Sequence, residues 1–161
     1  MKSYIKTFML LIMWLVSASA MAGNPTKYFE KIASKSNYDY SFVSPVMLKA
    51  MGDRTLSDES YGSLPVKTSD LSSIETISTA INGQDEDLWK IIREIKNSKK
   101  METLSTKKQN YYRYDVLARL SGDGKFITNL MVVTQNGGQA VNVVYMEGKI
   151  PIDSLKYALA D

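Results

Sequence analysis

Cysteine and histidine are both absent from the 161 residues of this chain. Without cysteine there is no disulfide, so the fold depends on burial alone, and there is no residue for a bacterial lipid anchor. Without histidine the chain lacks the commonest general base and the usual ligand of zinc and copper. These absences exclude a Ser-His-Asp hydrolase and most transition-metal sites. No cofactor motif is present either, and we expect none to be bound.

The first 22 residues have the three parts of a secretory signal peptide. Lys2 and Lys6 form a basic start, and the stretch over residues 7–20 is almost entirely apolar. Ala-Met-Ala at 20–22 gives the small-x-small pattern for cleavage, with Ala-Ser-Ala at 18–20 as a second choice. The alternative is a retained membrane anchor, but a spanning helix needs about 20 apolar residues and this stretch is shorter. We expect export to the periplasm or the extracellular space.

Cleavage after residue 22 leaves residues 23–161, a length that suits a single domain with its own core. The signal peptide takes two lysines with it, so the net charge falls from +3 to +1. A nearly neutral chain favours neither nucleic acid nor an acidic membrane as its partner. We expect no membrane insertion after cleavage and no lipoprotein.

Helix and strand signals alternate at the start of the mature chain. Asn24 followed by proline predicts a first helix over residues 25–36. Alternation of aromatic and polar residues predicts a strand over Tyr38–Val43. Ser44, again before a proline, begins a second helix that Gly52 ends. Because this helix is apolar nearly all round, we expect it to be buried.

The middle of the chain combines a polar segment, a strand and an amphipathic helix. Residues 53–69 have no apolar period, which predicts a surface loop. Residues 71–80 resume a strand-like pattern. The acidic run at 85–87 begins a helix and is explained by capping rather than by calcium binding. Four apolar residues of that helix have the spacing of one buried face: Leu88, Ile91, Ile92 and Ile95.

The last third of the chain reads as strands joined by glycine-rich turns. We expect a short strand at Met101–Ser105, a half-buried one at Tyr112–Leu120, a central one at Phe126–Thr134 and a fourth at Ala140–Glu147. Asp153 then caps a final helix. Because the strands are consecutive, the predicted class is α+β: a single domain with an antiparallel meander of four to five strands and helices packed on it.

Several segments resemble an exported bacterial family known as domain of unknown function 4252. The similarity begins at Tyr38–Ser44 and continues through Met47–Met51, Ile74–Ser78 and Met101–Leu104. Its most specific part is Val141–Leu155, which resembles that family's last strand, glycine turn and capped helix. The resemblance implies a small envelope domain of Gram-negative bacteria linked to envelope signalling, and it carries over no active-site residues.

Positive charge is concentrated between Arg93 and Arg119, where eight Lys and Arg residues accompany three acids and three tyrosines. Such a surface suits an envelope protein or an anionic envelope polymer, since tyrosine and arginine are favoured at interfaces. The alternative is a solvated helix face and an edge strand protected by lysines. The candidate partner-binding residues are Lys99, Lys100, Lys107, Lys108, Tyr111 and Arg113.

The residues favour a non-enzymatic exported domain that binds or senses a partner in the envelope. One alternative is a histidine-free hydrolase using two carboxylates among Glu75, Asp115 and Glu147. Another is a structural assembly subunit. A cleft with converging carboxylates would favour the hydrolase, and an uncharged unpaired edge strand would favour assembly.

Overall fold

The computed structural model of the chain describes residues 26–35, 37–56, 64–79, 86–137 and 139–159. The predicted signal peptide, Asn24 and the acidic Asp85 lie outside these residues. The elements in chain order are α1 Glu30–Ala33, β1 Tyr38–Val43, α2 Pro45–Met51, β2 Thr55–Leu56, β3 Val66–Lys67, a 3-10 turn at Thr68–Asp70, β4 Leu71–Thr79, α3 Glu86–Ser98, β5 Glu102–Gln109, β6 Tyr112–Leu120, β7 Phe126–Asn136, β8 Gln139–Pro151 and α4 Ile152–Leu159.

One antiparallel sheet of six strands organises the fold, in the order β1-β4-β8-β7-β6-β5. The predicted class, mixed helix and antiparallel sheet, is confirmed, and so is the meander β6-β7-β8. The predicted number of four to five strands is wrong. β1 and β4 both join the sheet, because β4 pairs with β8 across more than 60 residues of sequence. β2 and β3 form a separate two-stranded ribbon.

The sheet has an apolar core on each of its two faces. Neighbouring residues of β8 show the division: Val144 and Met146 lie in one core, and Val143 and Tyr145 lie in the other. α1 and α3 cover the second face, which we call the α3 face. Residues of α2, the β2–β3 ribbon and α4 cover the first. β7 is therefore central and buried on both sides, as its apolar pattern predicts.

The second helix has the predicted caps but not the predicted burial. The Ser44 hydroxyl accepts a hydrogen bond from the Met47 N–H at 3.3 Å, and Gly52 ends the helix with a φ of 70°. Only Leu48 is buried, whereas Val46 is 79% and Met47 is 56% exposed. The helix is only seven residues long and turns one side to the sheet, where Met51 is half-buried beside Leu48, while Val46, Met47 and Ala50 face solvent.

Two other segments differ from expectation. The first helix spans only four residues, because the N–H groups just before it bind the Glu75 carboxylate. The predicted loop over residues 53–69 includes the β2–β3 ribbon, and Leu64, Val66 and Thr68 in it are buried. Residues 57–63 of that loop lie outside the described part of the chain.

The fifth strand continues well beyond the predicted end at Ser105. β5 pairs with β6 along its whole length, as far as the pair Gln109 and Tyr112. Asn110, with a φ of 56°, makes the tight turn between them. Because β5 is the last strand of the sheet, this extension carries two more lysines onto the sheet edge.

Candidate functional site

A groove of about 230 Å³ lies on the α3 face, between α3 and the edge of the sheet formed by β5 and β6. Its floor is apolar and its rim is mostly charged. We call it the basic groove, and it is lined by Trp89, Ile92, Arg93, Lys96, Thr103, Arg113, Asp115, Leu117 and Val133.

Simple periodicities bring these side chains together. Trp89, Arg93 and Lys96 are separated by four and three residues, so they lie along one side of α3. On β6, residues two apart share a face, which places Arg113 with Leu117. Leu117 belongs to the α3-side core and fixes that face as the one under the helix.

The charge of the groove is positive. Arg113 Nε donates to both carboxylate oxygens of Asp115 at 3.0 Å, and Thr106 Oγ1 donates to the same carboxylate at 2.7 Å. Asp115 is therefore held by its own neighbours. Arg93 and Lys96 form no ion pair with any residue that the structure describes, and both are exposed. Both charges therefore lie in contact with solvent at the rim of the groove.

Lys107 and Lys108 point to opposite faces of the sheet. Lys108 lies opposite Arg113 of β6, which puts it on the side of the basic groove. Lys107 lies opposite Tyr114, on the other face. Successive residues of a strand alternate in this way, so the two lysines cannot serve one surface.

The other candidate residues are also separated. Lys99 follows the end of α3, and its Nζ lies 3.3 Å from Glu147 Oε1. Burial opposes its charge, but Tyr28 and Glu147 together raise the pKa of Lys99 above its ordinary value, so it is a structural cation. Lys100 is exposed in the turn beyond it, with a φ of 52°. Tyr111 is 83% exposed at the tip of the β5–β6 hairpin.

The groove thus contains Arg113, with Lys108 beside it, from the predicted set, and adds Trp89, Arg93 and Lys96. Arg93 and Lys96 belong to the basic stretch of the sequence but are not among its candidate partner-binding residues. Trp89 was not predicted at all. The helical spacing of these three residues was a signal that could have grouped them. These three residues face β5 because of the way α3 packs on the sheet, and no local sequence pattern indicates that packing.

The three carboxylates proposed for a hydrolase have separate surroundings. Glu75 is 2% exposed and accepts hydrogen bonds from the backbone N–H groups of Tyr28 and Phe29 at 2.8 and 2.7 Å. Asp115 is held in the basic groove, and Glu147 is paired with Lys99. Within the described ranges no cluster of three acidic side chains could hold a metal ion.

The chain matches no family model, no curated protein and no solved structure. Its resemblance to the domain of unknown function 4252 family therefore stays a prediction from the residues quoted above. Among the residues that the structure describes, no helix is both long enough and apolar enough to cross a membrane.

Proposed function

We propose that this chain is a non-enzymatic exported domain that binds an acidic, extended segment of an envelope protein in the basic groove. One observation carries this proposal: two exposed cations that form no ion pair with a described residue, Arg93 and Lys96, lie over an apolar floor beside the edge strand β5. The export itself rests on the predicted signal peptide.

The floor of the groove favours a protein segment over an anionic polysaccharide. Trp89 and Ile92 lie there with Leu117 and Val133 beneath the charged rim. Aromatic and aliphatic side chains of a partner gain free energy by leaving water at such a floor, while acidic side chains meet the rim. A polysaccharide supplies negative charge but has no apolar side chains for the floor.

The edge of the sheet supplies the second half of the site. β5 pairs with β6 on one side, and no strand of the described residues pairs with its other side. Its outer backbone N–H and C=O groups can therefore add an extended segment as a further strand. Lysines on both faces of β5 discourage pairing between copies of this chain, and the same charges attract an acidic strand.

The hydrolase alternative has less support. Of its three carboxylates, Glu75 is enclosed under α1, and Asp115 and Glu147 each accept charged hydrogen-bond donors. A general base has to reach a substrate proton directly or through one water. The assembly alternative has less support because β5 is charged. If the β5 strands of two copies paired edge to edge, their lysines Lys107 and Lys108 would lie close together and repel each other.

Binding of defined peptides to the mature domain tests the proposal. The probe is a short fluorescent peptide with the repeat Glu-Glu-Val-Val, which places both residue types on each face of an extended strand. Its binding is followed by fluorescence anisotropy at low and physiological salt. We expect saturable binding that weakens as salt rises, because exposed charges are screened beyond about 8–10 Å at physiological strength. The matched peptides carry lysine in place of glutamate or serine in place of valine, and both should bind more weakly.

Three outcomes would overturn the proposal. The lysine peptide binding as tightly as the glutamate peptide would remove the role of charge. Alginate, an anionic polysaccharide, binding as tightly as the peptide per unit charge would make the partner a polymer. A hydrolysed product of the peptide, seen by mass spectrometry, would restore the enzyme alternative.

A further inference from the structure

A second and larger cleft, of about 570 Å³, opens where α3 ends over the sheet. It lies at the end of β6 and the start of β7, away from the basic groove. The cleft is lined by Ser72, Lys99, Arg119, Leu120, Ser121, Gly122, Thr128, Asn129, Glu147 and Gly148. The cleft is shallow and broadly open to solvent, so a ligand in it would keep part of its hydration.

Irregular pairing converges on this cleft from three neighbouring strand pairs. The register shifts between Leu71 and Ser73 in the β4–β8 pair, between Arg119 and Leu120 in the β6–β7 pair, and between Ile127 and Asn129 in the β7–β8 pair. Five residues at or within these shifts line the cleft: Ser72, Arg119, Leu120, Thr128 and Asn129. Bulges bend strands and redirect side chains, and they are over-represented beside functional sites.

The lining holds one ion pair and one unpaired cation. Glu147 Oε1 accepts from Tyr145 OH at 2.7 Å and from Asn129 Nδ2 at 3.3 Å, and Lys99 Nζ lies 3.3 Å away. Its second oxygen, Oε2, accepts no hydrogen bond from the described residues. Arg119 is exposed and its guanidinium forms no ion pair within the same part of the chain. The cleft therefore offers one uncompensated positive charge and one unused carboxylate acceptor.

The remaining lining groups are mostly hydroxyls and amides. Ser72 of β4 and Ser121 of the β6–β7 turn both border the cleft, and Leu120 is the one large apolar side chain in the lining. An apolar ligand would find little surface to bury here. A ligand with many hydroxyl groups would find acceptors and donors, and a carboxylate on it would meet the planar fork of Arg119.

We propose that this cleft binds a small polyhydroxylated carboxylate, the chemistry of a sugar acid. Arg119 holds the carboxylate, and Glu147 Oε2 together with the Ser72 hydroxyl accepts hydrogen bonds from ligand hydroxyls. Lys99 holds Glu147 in place through their ion pair. This site is independent of the basic groove and of the proposal made for it.

Titration of the isotope-labelled domain with galacturonate, followed by amide NMR, tests this site. The neutral sugar galactose and the zwitterion glycine serve as matched probes. We expect galacturonate to shift the amides of Gly122, Asn129 and Gly148 in a saturable way, and galactose and glycine to bind at least tenfold more weakly. Arg119→Gln should weaken galacturonate binding by about ten- to a hundredfold, the usual loss for a charged hydrogen-bonding group.

Lys125→Gln is the control, since it removes an exposed cation from the same β6–β7 turn without touching the cleft lining. It should leave galacturonate binding unchanged, and both variants should keep the amide spectrum of the folded domain. Three results would overturn the proposal: equal losses in the two variants, binding of galactose or glycine as strong as that of galacturonate, or no saturable shift at all.

Discussion

At the scale of single residues, Glu75 is a buried carboxylate with no cation beside it among the described residues. It accepts the N–H groups of Tyr28 and Phe29, and the Tyr40 hydroxyl donates to it at 3.2 Å. These three donors compensate part of the cost of burying a charge. The same contact fixes the start of α1, so one side chain in β4 anchors the chain that enters the domain.

We expect Glu75→Gln to lower the free energy of unfolding by about 1–3 kcal/mol at neutral pH. Glutamine keeps the shape of the side chain, but it has one acceptor oxygen where the carboxylate has two, so one backbone N–H loses its partner. Urea denaturation of the two proteins measures the difference. An unchanged midpoint would show that these hydrogen bonds do not hold α1 in place.

The stability of the wild type and that of Glu75→Gln should also depend differently on pH. Burial raises the pKa of Glu75 above its ordinary value of 4.5, and the N–H groups of Tyr28 and Phe29 oppose the shift only partly. The folded state then holds the proton more tightly than the unfolded state, so stability from this group falls as pH rises from 4.5 through the raised pKa. The difference in the free energy of unfolding between the wild-type chain and Glu75→Gln, measured by urea denaturation at several pH values, should therefore shrink as pH rises. A difference that grows with pH would show that the pKa of Glu75 is not raised in the folded state.

At the scale of elements, α2 shows the difference between an apolar sequence and a buried surface. Leu48 is 3% exposed, whereas Val46, two residues earlier, is 79% exposed. We expect Leu48→Ala to cost about 2–5 kcal/mol and Val46→Ala to stay within about 0.5 kcal/mol of wild type. Thermal and urea unfolding of both variants provide the comparison. Similar losses would mean that Val46 is covered in solution.

Gly148 is required by a close approach between strands. A Cβ at this position would lie 2.1 Å from the Asp70 carbonyl oxygen and 2.8 Å from Leu71 Cα, both of them backbone atoms. Gly148→Ala should therefore lower the free energy of unfolding by about 1–3 kcal/mol or more. Gly122→Ala is the matched control, because an added Cβ there meets no atom within 4 Å. Equal stability of the two variants would contradict the close approach.

Local sequence patterns predict the helices and strands better than they predict which strands pair with one another. The turns around Gly122 and Gly137 are enough to predict the meander of the last three strands. The pairing of β4 with β8 leaves no local sign, because it joins segments that are separated by α3 and three strands. The alternation of Lys107 and Lys108 follows from strand period, but only once β5 is known to extend past Ser105. The cleft depends on bulges, which no periodicity reveals.

At the scale of the whole molecule, a domain that binds an envelope protein has to reach the outside of the cytoplasm. The predicted signal peptide ends at residue 22, so the exported protein should begin at Gly23. Intact mass spectrometry of the protein recovered after export determines its first residue. Recovery of an exported protein that still carries residues 1–22 would mean that the apolar segment is retained as an anchor.

Charge reversal on two different surfaces tests most directly whether the basic groove binds the acidic partner. One variant carries Arg93→Glu, Lys96→Glu and Lys108→Glu on the side of the basic groove. Its control carries Lys49→Glu, Arg54→Glu and Lys125→Glu, which change the net charge by the same amount at positions outside β5 and the groove lining. All six positions are exposed, so both variants should fold as the wild type does.

The measurement is the affinity of the glutamate–valine peptide for these two variants and for the wild type. We expect the groove variant to bind at least about tenfold more weakly than the control, since several exposed charge contacts of up to about 1 kcal/mol each become repulsive. Equal affinities for the two variants would show that the partner responds to net charge and that the basic groove is not its binding site.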